Sequence, residues 1–382
     1  MMPRRVAVLT GKRGGYGAMK PLLRAIDNDP EMELLLMVTD QHLNPEFGAT
    51  IAEVEADFRI ASAVDMEQAD GSAQARVEAL GICLTKMARA LLELSPDILV
   101  LYGDRGEVLV TAIAAVNLNI PIAHLQGGDR SGNVDELMRH ALTKLAHLHF
   151  PASEESAARI RKLGEEDWRI EVVGDNHVDP IVAGEYTSQD VLSERYNLPD
   201  GERPILVLQH PETTRHRDNY VDMNGTLDAV LERGRRTIVV YPCSDQGYQD
   251  IVRAIEARRD HPSISIHKNI DAPDFWGLMS MASVLVGNSS AGLIETPYFP
   301  LAAINLGERQ IGRLHSENVI HAEFGKQSVV SALDTALDDE SFAAAVSSCS
   351  RPFGDGLAYR RIHARLKQIG LDSRLTNKQI TY

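Results

Sequence analysis

The side chains of this chain whose types and spacing could do chemistry fall in four short segments. Gly103-Asp104-Arg105 sets a carboxylate beside a guanidinium. Further on, His124-Leu125-Gln126-Gly127-Gly128-Asp129 leads through Ser131-Gly132-Asn133 into a helical stretch that opens Val134-Asp135-Glu136. Arg139 follows Asp135 by one helical turn, so the two share a helix face, with His140 beside them. Several ionisable groups are thereby gathered on one edge. Helix-dipole compensation by Asp135 and a surface ion pair to Arg139 account for that pair equally well, but give no reason for Asp104 and Asp129. In Gln209-His210-Pro211-Glu212-Thr213-Thr214, His210 is of the one residue type whose unperturbed side chain changes charge near neutral pH, and could give a proton to a leaving phosphate. An imidazole bonded to loop backbone is the even alternative.

The other two segments are rich in glycine and hydroxyls. Thr10-Gly11-Lys12-Arg13-Gly14-Gly15-Tyr16-Gly17 follows an apolar run and precedes a helix expected to begin near Ala18. Glycines permit close backbone approach, a helix start supplies N–H groups, and Arg13 or Lys12 supplies charge, which together suit a phosphate. A purely structural turn explains the segment as readily. It is neither G-x-G-x-x-G nor a Walker loop, which counts against NAD and P-loop readings. Gly287-Asn288-Ser289-Ser290-Ala291-Gly292 likewise could bind a phosphate through Asn288, Ser289, Ser290 and the amide of Gly292, with Glu295 accepting from sugar hydroxyls. Simple N-capping by either serine is the alternative.

These segments must be held by a scaffold, and short β-branched runs alternating with helical patterns describe one. Strands are expected at Arg5–Thr10, Glu33–Thr39, Asp97–Tyr102, Ile120–His124 and Glu171–Val173, then at Pro204–Gln209, Thr237–Tyr241, Ser263–His267, Val284–Val286 and Leu301–Asn305. Helices are expected over Ala75–Glu93 and Asp135–Leu145. The pattern predicts an α/β fold of two doubly wound, Rossmann-like domains facing a cleft, joined through residues 182–203. The expected division is 1–185, 186–358, and a C-terminal helix and tail, 359–382, returning to the first domain. Each chemical segment then falls at the carboxyl ends of strands, where such sheets bind ligands.

Composition bounds the partners. The 382 residues carry 39 Lys and Arg against 54 Asp and Glu, a formal charge of −15, and 44% are hydrophobic. Such a balance disfavours general nucleic-acid or anionic-membrane binding. The N-terminus reads as neither a signal peptide nor a membrane span, and a cytoplasmic location is expected. Cys83, Cys243 and Cys349 lie far apart and suggest neither a disulfide framework nor a zinc site. His147, His149 and His177 lack ligand spacing, so no metal and no cofactor are expected.

Taken together, Gly103-Asp104-Arg105, the stretch Gly127–Phe150, His210-Pro211-Glu212-Thr213-Thr214, Gly287–Pro297 and Asn305–Arg313 resemble the hydrolysing UDP-N-acetylglucosamine 2-epimerases of sialic acid and nonulosonate synthesis. The resemblance runs from residue 4 to about 320. It implies a glycosyltransferase-B-like fold, a nucleotide-sugar substrate and a homodimer or homotetramer. The implied chemistry breaks the C1–diphosphate bond with loss of the C2 proton, giving a glycal to which water adds with inversion at C2. By position Asp104 and Asp135 resemble the acidic pair that moves the C2 proton and activates water. His210 resembles the contact to the leaving diphosphate. Arg13, Ser289 and Ser290 resemble diphosphate contacts, and Glu295 the ribose contact. Arg105, Arg139, Arg309 and Arg313 are implied charge partners. The base, UDP or GDP, stays open, with UDP preferred.

Two departures stand out. Gln126 occupies a position where sialic-acid enzymes resemble His-Ile-Glu-Gly-Gly, so an amide replaces a carboxylate; it can bond hydrogen but not take a proton, and Asp129 could supply the charge. Gly14-Gly15 stands where Ala-Asp is usual. Competing readings are a glycosyltransferase on the same fold, a non-hydrolysing epimerase, and an inactive binding module.

Overall fold

The computed structural model describes residues 2–45, 49–70, 72–130, 134–212, 218–243 and 247–382. Ser131-Gly132-Asn133 and Thr213-Thr214 of the segments above lie outside them. Two compact units are present, one of Met1–Asp129, Val134–Asp179 and Phe353–Tyr382, the other of Pro180–Pro352 with Arg130–Asn133.

In the first unit six strands, β1 (Arg4–Thr10), β2 (Met32–Thr39), β3 (Ile60–Val64), β4 (Ile98–Tyr102), β5 (Ile122–Leu125) and β6 (Leu148–Phe150), form a parallel sheet ordered β3-β2-β1-β4-β5-β6. In the second, β7 (Ile205–Leu208), β8 (Thr237–Val240), β9 (Ile264–His267), β10 (Val284–Gly287), β11 (Ala302–Leu306) and β12 (Val319–Ala322) run β12-β11-β10-β7-β8-β9. Counted from each first strand, the two orders are the same. In both, the order reverses between the first and fourth strands, β1 beside β4 and β7 beside β10, which opens the place for a ligand past their carboxyl ends.

The strands are apolar on both faces because helices cover both. Val6 and Val8 of β1 join a core with the helices Arg13–Asp27 and Ala358–Gln368, while Ala7 and Leu9 join another with Ala73–Leu94 and Gly106–Asn117. The C-terminal helix repeats Ala358, Ile362 and Leu366 at helical spacing, and these are buried against the first sheet's helical layer. Its N-terminal amides, Ala358 N and Tyr359 N, donate to the two Asp179 carboxylate oxygens at 2.9 and 2.8 Å. Burial pushes that carboxyl up to about 7.

Several expectations need correction. Residues 171–173 are not a strand: the sheet's last strand is β6, and only a single bridge, His149 to Ile170, extends past it. The run Leu148-His149-Phe150 is too short to show alternation. The edge strands β3 and β12 were not expected, because half-exposed Ala, Ser and His residues dilute their pattern. The first helix begins at Arg13, not near Ala18, so Gly14, Gly15 and Gly17 lie inside its first turns and the loop shrinks to Gly11-Lys12.

Candidate active site

In the first unit, β4 ends in Tyr102 and turns through Gly103, whose φ of +81° suits a residue without Cβ, to present Asp104. The carboxylate meets Arg139, which projects from the helix Val134–Leu145. Arg139 is buried, 4% exposed, and its other amino group donates to the Asp129 carbonyl at 2.7 Å. Burial alone would lower the guanidinium's pKa, but the charges of Asp104, Asp129 and Asp135 outweigh it and leave it raised. The arginine is thereby fixed in its charged form among the three acids picked out in the sequence. Asp135 stands in the first turn of the same helix. The Asp129 carboxylate accepts from Ser156 Oγ at 2.5 Å.

Behind this group, His124 at the end of β5 is fully buried and donates from Nε2 to the Gly103 carbonyl at 2.7 Å, which fixes the turn that carries Asp104. Burial pushes its pKa down to about 4, so the ring stays neutral. Gln126 follows with φ +62°, a left-handed conformation that costs a residue with a Cβ on the order of 1 kcal/mol or more. The position is held by its N–H to Phe150 O at 3.1 Å and by its side-chain amide to Asp175 Oδ2 at 2.8 Å. Asp175, His177 and Tyr102 were not marked as a group in the sequence. A Gly174-Asp175 pair ending an extended run is the one local sign of them.

Arg105 caps the helix Gly106–Asn117, with Nε 3.5 Å from Glu107 Oε1. Glu107, 1% exposed, also receives Arg76 Nη2 at 2.7 Å, and Arg76 Nη1 reaches Asp40 at 2.8 Å. Burial pushes the Glu107 carboxyl up, and Arg105 and Arg76 oppose it. Gly11 passes close to this carboxylate, since a Cβ there would meet Glu107 Oε1 at 2.9 Å. Arg13, read from the sequence as a phosphate contact, is engaged by Glu53, its Nε lying 2.9 Å from Oε2.

In the second unit, β7 and β10 end side by side, and Gly287 is what lets them. Its φ is +145°, and a Cβ would lie 2.0 Å from Leu208 O. Asn288, fully buried, then clasps the backbone of His210, accepting its N–H on Oδ1 at 2.7 Å and donating from Nδ2 to its carbonyl at 3.0 Å. The Asn288 side chain thus serves the histidine's position, a role its place in a serine-rich loop did not suggest. The His210 ring accepts the Cys243 N–H on Nδ1 at 3.0 Å, so in the neutral ring the proton is on Nε2.

The Asn288 carbonyl takes Gln310 Nε2 at 3.0 Å and Arg309 Nη1 at 3.4 Å, and Arg313 Nη1 donates to Gln310 Oε1 at 3.0 Å. Glu212, two residues past His210, accepts the Glu308 and Arg309 amides at 2.6 and 3.2 Å and so ties the loop after β11 to the loop after β7. Glu212 and Gln310 lie inside motifs quoted from the sequence, but their buried bonding could only be seen folded. Ser290 is the N-cap of the helix Ala291–Ile294 without a side-chain capping bond, and Ser289 Oγ accepts Ala291 N at 3.4 Å. Of the two serines, Ser289 therefore makes a side-chain bond to the helix start, a long one, and Ser290 makes none. Gly292 packs on Leu285 and Ala303, and Glu295 accepts Trp276 Nε1 at 2.8 Å.

Among the described residues no group of three or more His, Cys, Asp and Glu side chains could hold a metal ion, and no helix is long and apolar enough to cross a membrane.

A family profile described as UDP-N-acetylglucosamine 2-epimerase matches residues 24–367. The chain is 34% identical over 382 residues, all of both chains, to a UDP-N,N'-diacetylbacillosamine 2-epimerase (hydrolyzing) of Legionella pneumophila. It is 30% identical over 341 residues, 89% of each chain, to a UDP-N-acetylglucosamine 2-epimerase of Neisseria meningitidis. In fold it is similar to the crystal structure of UDP-GlcNAc 2-epimerase from Neisseria meningitidis bound to UDP-GlcNAc, with TM-score 0.83, 15% identity, and 95% of this chain and 99% of that chain covered. With a family profile matched over most of its length and full-length similarity to a hydrolysing relative, the chain belongs to the UDP-N-acetylglucosamine 2-epimerase family, in its hydrolysing branch.

Proposed function

We propose that this protein hydrolyses a UDP-activated 2,4-diacetamido sugar, releasing the free manno-configured sugar and UDP, as a step that supplies nonulosonate synthesis. The observation that carries the substrate choice is the 34% identity over the full length of both chains to a hydrolysing enzyme named for such a sugar. UDP-N-acetylglucosamine is the second substrate reading, favoured by the 30% identical relative.

The residues suit the steps. Asp104, ion-paired to the buried Arg139, takes the C2 proton. Electrons of the C2–H bond form the C1=C2 bond as the C1–O pair leaves with the diphosphate. His210, with its proton on Nε2, gives a hydrogen bond to the departing phosphate oxygen, and Arg309, Arg313, Ser289 and Ser290 add donors. Asp135 receives the proton of the water that attacks C1.

Wild-type protein incubated with each UDP-sugar in D₂O and followed by proton NMR tests this. One deuterium at C2 of a released free sugar, with stoichiometric UDP, is expected. Release without deuterium refutes the glycal route. Epimerised sugar still bound to UDP refutes hydrolysis, and a requirement for an acceptor sugar identifies a transferase.

A further inference from the structure

Gln126 leaves the proton chemistry of the first unit one group short. Inversion at C2 through a glycal needs a proton removed from one face of that carbon and another delivered to the opposite face, and water attacking C1 must also lose one. No single side chain serves both faces. Asp104 and Asp135 meet two of the three requirements under the function proposed above, on which this inference rests. The amide of Gln126 transfers no proton.

Beside that amide the fold builds an Asp–His pair. Asp175, its side chain fully buried, accepts the Gln126 amide on Oδ2 at 2.8 Å and the His177 backbone N–H on Oδ1 at 2.9 Å. His177 Nδ1 lies 3.0 Å from the same Oδ1, and Tyr102 OH lies 2.9 Å from Nδ1. Nδ1 faces one anion, Asp175 Oδ1, and two groups able to donate, the Tyr102 hydroxyl and, at 3.5 Å, the Gln126 amide; with Nδ1 protonated toward Asp175 the ring meets the carboxylate without lone-pair repulsion and the phenol oxygen lies alongside. The exchangeable position of the ring is then Nε2, and the buried carboxylate offsets the positive charge when Nε2 is protonated. A buried aspartate fixing an imidazole's tautomer and stabilising its charged form is the arrangement of the serine-protease triad. The His177 side chain is 24% exposed, so the ring is reachable. Tyr102 ends β4, Gln126 follows β5, and Asp104 lies two residues past Tyr102. The pair therefore shares the edge of the sheet that carries the carboxylates. Gly15, which a Cβ would bring to 3.3 Å from the Tyr102 ring, leaves room for that ring.

We infer that His177, backed by Asp175, is the general acid that protonates C2 of the unsaturated intermediate. The Nε2–H bond breaks, the C1=C2 electron pair forms the new C2–H bond, and the cation left at C1 takes the oxygen of water, whose proton passes to Asp135. The neutral ring takes a proton back from solvent, and one water is consumed. Asp104 is unsuited to this step because it holds the proton taken from the first face of C2, and returning it there restores the starting configuration; delivery to the opposite face needs a second acid, and a protonated imidazole can supply it.

The assignment separates the two half-reactions, and the test reads them separately. His177→Ala and His177→Gln are incubated with the UDP-sugar, UDP is quantified, and the sugar products are followed by proton NMR, with UDP affinity from calorimetry showing an intact fold. The expected result is release of UDP together with the glycal, seen by its vinylic C1 proton, while free sugar formation falls ~10²-fold or more. Asp175→Asn shows the same imbalance more weakly, and added imidazole restores free sugar in His177→Ala. Free sugar from both His177 variants at the wild-type rate overturns the inference alone. So does parallel loss of UDP release and free sugar at unchanged UDP affinity, which would put His177 in the elimination step. No free sugar from the wild type overturns the hydrolytic reading, and this inference with it.

Discussion

Replacing Asn288 with alanine tests whether one buried amide positions His210. Its side chain makes two hydrogen bonds to the His210 backbone, at 2.7 and 3.0 Å, and is itself fully buried. Each net bond contributes about 1 kcal/mol, and leaving its partner group unsatisfied costs about 1–3 kcal/mol, so Asn288→Ala should destabilise the second unit by ~2–4 kcal/mol. The chain has two tryptophans, Trp168 in the first unit and Trp276 in the second. In a Trp168→Phe background, urea unfolding followed by Trp276 fluorescence therefore reports the second unit. A freed His210 loop also shifts the imidazole, and a misplacement on the order of 1 Å costs about 10²-fold in turnover. The expected result is a lowered urea midpoint at unchanged slope, with kcat reduced ~10- to 100-fold and UDP affinity changed far less. Loss of under about 0.5 kcal/mol with wild-type kcat would refute the clasp as the source of His210's placement.

Other perturbations probe separate links. Asp104→Asn should abolish C2 deuterium incorporation while leaving UDP binding near normal by calorimetry; parallel loss of binding would return the residue to a structural role. Gly287→Ala places a Cβ 2.0 Å from Leu208 O and should cost ~3 kcal/mol or more, or prevent soluble expression; a wild-type urea midpoint would disprove the close approach of β7 and β10. The buried Glu165 carboxyl would be raised by burial, yet bonds from His149, Lys144 and Lys378 hold it at about 2. Its unfolded value is ~4.3, so its folded pKa is depressed and contributes on the order of 3 kcal/mol above the unfolded value. That stability is lost as pH falls from about 5 toward 2, and Glu165→Gln should flatten the urea midpoint over this range. An equally steep acid loss in the variant would show that other groups set it.

Most of the helical and strand pattern was legible because each sheet is covered on both faces, so central strands such as Arg4–Thr10 and Ile98–Tyr102 read as unbroken apolar runs. The edge strands Ile60–Val64 and Val319–Ala322 were not, since they are half exposed and carry no such run. The glycine segment misled for a related reason: Gly14, Gly15 and Gly17 read as loop by propensity, but a helix held by the tertiary packing of Tyr16, Met19 and Leu23 overrides the cost of three glycines.

The sequence by itself determined the class of fold and the family, because hydrophobic periodicity and ordered motifs are properties of neighbouring residues along the chain. It also located Asp104 and His210 just past strand ends and Asp135 at the start of a helix. What only the tertiary structure decided is who touches whom across sequence distance. Asp104 meets Arg139, Asn288 clasps His210, Arg13 belongs to Glu53, and Gln126 leans on Asp175 and His177. Protonation state and tautomer follow from those partners and from burial, so the side chains' chemistry is fixed by contacts that no local pattern encodes.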